Sequence, residues 1–112
     1  MSTMMTEYEA GTYEKIVLNG TAMSFSEAKY KPTTGNYAGK TARKALVVVD
    51  GGVIRVLETG DTPTAEEGVP LQDSAHILVE GEHNIQNFKA INEIGEVVLW
   101  VTYYFPVLKV LA

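Results

Sequence analysis

The side chains that could do chemistry are few, and their spacing argues against a reaction centre. His76 and His83 are the only imidazoles, and a nucleophilic triad needs such a base beside an activated nucleophile. No serine sits in a nucleophile-elbow sequence. His76 alternates with Ile77 and Val79, which reads as the surface of a strand. His83 belongs to Glu80-Gly81-Glu82-His83-Asn84, where Glu82 and His83 could ligate a hard or borderline metal. A stable site needs three or more convergent ligands, so this segment reads as a solvated turn. Glu66 and Glu67 are adjacent, so their carboxylates diverge and cannot share a substrate as an acid–base pair. Gly51-Gly52 and Gly60 lack the following helix and lysine that would make a phosphate cradle. Trp100, Tyr103 and Tyr104 could stack on a sugar, but within so apolar a run they read as core or interface. The expectation is a non-enzyme with no catalytic residues, no metal and no cofactor.

The elements that must carry these residues are short. Glycine or proline interrupts the sequence at close intervals from Gly11 to Pro106, and the runs between are rich in β-branched and aromatic residues. This predicts several short strands and no long helix. Strands are expected at 13–18, 45–49, 53–57, 75–80, 86–91 and 97–105. The pair 45–49 and 53–57, joined by Asp50-Gly51-Gly52, reads as the best hairpin. A single helical turn is expected within 24–30, with Ser26 as its cap, and 35–44 reads as a mobile polar loop.

The run 97–105 has apolar residues at its odd positions. Its even positions, Val98, Trp100, Thr102 and Tyr104, are also poorly suited to water, so the strand is expected to be covered on both faces. Seven to eight short strands point to one antiparallel β-sandwich over 1–112. An N-terminal arm covers 1–9 and an apolar extension covers 106–112. That extension should pack as an added edge strand of its own sandwich or against a partner.

Composition narrows the class further. The chain has 112 residues, 46% hydrophobic, no cysteine and a net charge of −5. Without cysteine there is no disulfide scaffold and no thiolate zinc site. No apolar run reaches the roughly 18 residues a membrane helix needs, and no signal-peptide pattern opens the sequence, so no membrane partner is expected. The net charge conceals a division. Residues 29–55 hold six basic side chains (Lys29, Lys31, Lys40, Arg43, Lys44, Arg55) against Asp50, whereas 58–96 hold nine acids against Lys89. These halves either meet across copies of the chain or neutralise each other within one fold. The basic stretch lacks the aromatic interleaving of a nucleic-acid platform, so no nucleic-acid partner is expected.

One stretch is distinctive. Ile54 to Leu71 runs through Thr59-Gly60-Asp61-Thr62-Pro63-Thr64 to Gly68-Val69-Pro70. It resembles a strand and "D-G-x-x-P-T-x-x-x-G" turn of small structural proteins of tailed bacteriophages, of the head or decoration type. The later segments 81–91 (Gly81 to Phe88-Lys89-Ala90-Ile91) and 99–104 (Leu99 to Val101-Thr102-Tyr103-Tyr104) are similar to the same proteins, as is 22–30. The Pro63-Thr64 turn also looks like that of immunoglobulin-like modules appended to glycosidases. The chain departs from the pattern in having Thr59-Gly60-Asp61 where Asp-Gly is usual. Glycine permits positive φ and Pro63 fixes the turn, so Gly60, Pro63, Thr64 and Gly68 form a structural signature without chemistry of its own.

The resemblance implies an immunoglobulin-like or related sandwich and a virion structural protein, made in the host cytoplasm and carried on the virion. Capsid decoration or another head-associated role is expected, with capsid or other virion proteins and further copies of the chain as partners. Alternatives are a tail or neck component, or an immunoglobulin-like binding module for carbohydrate or a host surface. Contact residues are expected at Trp100, Tyr104, Val107, Leu108 and Leu111, with the segments 1–9 and 106–112 as further candidates.

Overall fold

The computed structural model describes residues 3–111; Met1, Ser2 and Ala112 of the two expected terminal segments lie outside them. Eight strands and two short helices follow in the order β1 (Met4–Leu18), β2 (Met23–Ser24), α1 (Glu27–Tyr30), β3 (Lys44–Asp50), β4 (Ile54–Leu57), β5 (Val69–Leu71), β6 (His76–Glu80), α2 (Glu82–Asn87), β7 (Lys89–Asn92) and β8 (Val97–Val110). They build two four-stranded sheets, β1-β8-β3-β6 and β2-β7-β4-β5. Every pairing is antiparallel. The protein is an all-β sandwich.

Period-two burial explains the packing. Ala45, Val47 and Val49 of β3 and Val97, Leu99, Val101, Tyr103 and Phe105 of β8 are all buried, facing Ile54, Val56 and Ala90 from the other sheet. Aromatic side chains fill the layer between the sheets. Phe25 stacks on Phe88 at 4.3 Å between ring centroids and meets Tyr103 edge-on at 5.5 Å. Buried Asn92 accepts a bond from the Gly20 N–H at 2.7 Å and donates to the Gly95 carbonyl, tying two turns at one end of the sandwich.

Several expectations need correction. The runs 45–49 and 53–57 are not a hairpin: β3 pairs with β6 and β8, whereas β4 pairs with β5 and β7. Gly51, at φ 106°, lets the chain cross between sheets, and the Gly51 N–H donates to Asp73 Oδ1 at 2.9 Å. The turn read at 80–84 and the start of the strand read at 86–91 are replaced by α2. Ile85 is buried in α2, and the side chains of Asn84 and Asn87 donate to the carbonyls of Glu80 and His83. β7 therefore begins only at Lys89. Ser26 does occupy the N-cap of α1, but its side chain makes no cap bond; the hydroxyl donates to the Glu14 carboxylate instead. The loop expected to be mobile is pinned by Tyr37, which stacks on Phe105 at 4.8 Å and donates to Glu9 Oε2 at 2.7 Å.

The largest difference concerns strand length. β1 and β8 span 15 and 14 residues and pair from Met4↔Val110 to Leu18↔Val97. The described residues 106–110 of the apolar extension are not a separate added strand: they continue β8 itself, and their partner is the arm. β3 stops at Lys44↔Tyr104. Beyond that row, 4–10 and 104–110 form a two-stranded ribbon, about 23 Å long at the usual rise per residue. The molecule accordingly measures 55 × 25 × 23 Å, with a radius of gyration of 15.4 Å against roughly 13 Å for a compact chain of this size.

Candidate interaction surface

The outer face of the β1-β8-β3-β6 sheet is built row by row from the strand register. Val17, Val98 and Asp50 form the first row, then Lys15, Trp100, Val48 and His76, then Tyr13, Thr102, Leu46 and Leu78, then Ala10, Tyr104, Lys44 and Glu80. The ribbon continues the same face with Tyr8–Pro106, Thr6–Leu108 and Met4–Val110. Partners in register share a face, so the wider sheet and the ribbon present one apolar strip along the long axis. Tyr13 is 68% exposed, Trp100 43% and Leu108 62%.

Three of its charges, Asp50, Lys15 and Lys44, lie against the aromatics. The Trp100 indole N–H donates to Asp50 Oδ2 at 3.2 Å, and Lys15 Nζ lies 5.6 Å from the ring centroid. Lys44 Nζ lies 4.3 Å from the Tyr8 ring. Tyr8, Lys44, Leu46, His76, Leu78 and Tyr104 line a shallow groove of about 490 Å³ where the ribbon leaves the wider sheet. The face is too apolar to be an ordinary solvated sheet surface, and its concavity is shallow. It suits a protein surface better than a small molecule.

The expected contact residues divide between two faces. Trp100, Tyr104 and Leu108 lie on the apolar strip. Val107 and Leu111 fall on the opposite face of the ribbon by strand alternation, beside Glu7 and Lys109, whose carboxylate and ammonium meet at 2.9 Å. Glu7, through its bond to Lys109, holds that ammonium above its usual range. Sequence reasoning missed Tyr13 and Leu78, because nothing in the sequence shows that β1 lies beside β8 or β6 beside β3; Tyr8 falls in the 1–9 arm expected at contacts.

The turn signature lies elsewhere, at the rim of the second sheet. Pro63 is buried, and Thr64 Oγ1 accepts the N–H groups of Glu66 and Glu67 at 3.2 and 3.0 Å. Gly60 has φ 96°, and a Cβ there would stand 2.9 Å from Asn87 Oδ1. The Gly68 carbonyl accepts from Arg55 Nη1 at 3.1 Å, while Arg55 Nε pairs with Glu93 at 2.7 Å. That ion pair and Arg43–Glu82 at 3.6 Å join the basic and acidic halves within one copy.

His83 is exposed on α2, and His76 is exposed on the outer face. Among the described residues no three His, Cys, Asp or Glu side chains converge as a metal site, and no helix is long and apolar enough to cross a membrane. At the rim of the sandwich, half-buried Glu14 collects the Tyr103 hydroxyl at 2.6 Å, the Ser26 N–H at 3.1 Å and the Ser26 hydroxyl. Burial, reinforced by the bond to Glu14, pushes the Tyr103 phenol well above its usual range. This closed cluster fixes β1 to the segment before α1. No family model, curated protein or solved structure matches the chain.

Proposed function

We propose that this protein is a bacteriophage virion structural subunit, a capsid decoration or other head-associated component acting through multicopy protein–protein contacts. The observation that carries the reading is the largely apolar strip on the outer face of the β1-β8-β3-β6 sheet, extended by the ribbon. The phage assignment draws on the sequence resemblance in 22–30, 54–71, 81–91 and 99–104. Capsid subunits offer a repeated surface on which such a strip can lie, and a strip buried there removes Tyr13, Trp100 and Leu78 from water.

The test is co-sedimentation of purified protein with empty capsids, with tails, and with glycan-coated beads. Saturable binding to capsids is expected. Tyr13→Glu and Leu78→Glu, at exposed sites on the strip, are expected to weaken it at least tenfold while leaving the melting temperature within a few degrees. Binding to tails alone would move the protein to the tail or neck. Saturable glycan binding without capsid binding would overturn the reading in favour of a binding module.

A further inference from the structure

Among the described residues the ribbon leaves two backbone edges without strand partners, and they are not equivalent. The Arg43 N–H donates to the Tyr104 carbonyl at 2.9 Å, so Tyr104 directs its backbone groups away from β1. By alternation Pro106, Leu108 and Val110 do the same, and the Leu111 N–H correspondingly donates to the Thr3 carbonyl on the β1 side at 2.6 Å. Pro106 therefore stands on the open edge of β8, where its missing N–H denies a donor to any incoming strand. On β1 the residues that bond to β8 are Met5, Glu7 and Glu9, so the backbone groups of Met4, Thr6 and Tyr8 point outward. That edge has no proline to blunt it. A two-stranded ribbon is marginal in water by itself, and an open apolar edge is a template for another strand.

We propose that the 4–8 edge of β1 pairs antiparallel with the same edge of a second copy, joining two ribbons into a four-stranded sheet. The segment is its own complement in one register. With Thr6 on the two-fold axis, Thr6 exchanges both backbone bonds with Thr6 of the second copy, and Met4 lies beside Tyr8 on the apolar face. On the other face Glu7 then meets Met5. Moving the axis to Glu7 would set two carboxylates directly opposite each other, which is unfavourable. Charge therefore selects the Thr6 register, and the apolar strips of both copies continue across the joint. The pairing edge is only about 17 Å long at the usual rise per residue and one sheet thick, too small to bury the roughly 800 Å² per partner of a stable complex. The dimer is thus weak in solution and gains weight where copies are already held close together.

Sedimentation velocity at rising concentration tests this, with Thr6→Pro as the decisive variant. Its proline removes only an outward N–H, so the β1–β8 ladder and circular dichroism are expected to stay unchanged. Thr6→Pro is expected to self-associate at least tenfold more weakly than the wild type, and amide exchange at Tyr8 to slow with concentration only in the wild type. Glu7→Pro, which removes a bond of the ladder itself, separates loss of the ribbon from loss of the edge. A wild type that stays monomeric to millimolar concentration, or a Thr6→Pro protein that dimerises as before, would overturn the proposal. So would loss of capsid binding by Thr6→Pro with no self-association in the wild type, because the edge would then belong to another protein. The strip variants Tyr13→Glu and Leu78→Glu keep this edge intact, so failure of capsid docking and failure of pairing are read separately.

Discussion

Tyr103 shows how one residue binds the sandwich together and sets its pH range. Its ring is buried against Phe25, and its hydroxyl donates to Glu14. Because folding raises its pKa, the stabilisation is complete below the unfolded phenol's value near 10 and is lost as pH rises above it. Alkaline unfolding is therefore expected to begin around pH 10. Tyr103→Phe should flatten that slope and cost about 1–2 kcal/mol at neutral pH, as measured by urea denaturation at pH 7 and pH 10.5. Some slope should persist, because burial raises Tyr30 and the bond to Glu9 raises Tyr37. Half-buried Glu14 keeps its two bonds from Ser26 in the variant, so its carboxylate is not left without a partner.

At the scale of the element, the bulge between Ala10 and Thr12 separates the ribbon from the wider sheet. Gly11 occupies it because a Cβ there would stand 2.6 Å from Phe105 Cδ1 and 2.9 Å from Tyr37 Cδ2. Gly11→Ala is expected to cost about 1–3 kcal/mol by overpacking, read as a lowered denaturation midpoint, and to release Tyr37 from Phe105. The strand types were legible in the sequence wherever period-two burial was strong, as in β3 and β8. Partners were less so. Asp50-Gly51-Gly52 has the chemistry of a tight hairpin, and only the need to bury both apolar runs in one core sends β4 to the other sheet. Trp100 and Tyr104 were recognisable as surface aromatics because β8 is apolar on both faces. Tyr8 was legible only as part of the arm, since Met4 to Ala10 gains its strand only by pairing with residues almost a hundred positions away. Gln86 belongs to a helix that local propensity does not announce; burial of Ile85 and the side-chain bonds of Asn84 and Asn87 decide it.

At the scale of the molecule, the charge division turns inward as well as outward. Arg55–Glu93 and Arg43–Glu82 link the basic and acidic segments inside one copy. Exposed pairs of the second kind contribute little to stability, and what distinguishes the surface is its apolar strip. The order in which the sheet can be assembled is a separate matter. β8 is the last of the eight strands in sequence, yet it sits between β1 and β3. During synthesis the β1-β8-β3-β6 sheet cannot close until the final strand has left the ribosome, and β1 and β3 wait with their apolar faces open. Contacts of such long sequence separation fold slowly. A chain halted at Gly95 is expected to remain protease-sensitive, whereas one extended through Val110 should gain resistance in a single step, a contrast that pulse proteolysis of stalled nascent chains would resolve. Placing β8 at the centre makes closure of this sheet wait for residues 97–110, however early β1 and β3 are made. Any subunit able to present the strip has then already been made through Val110.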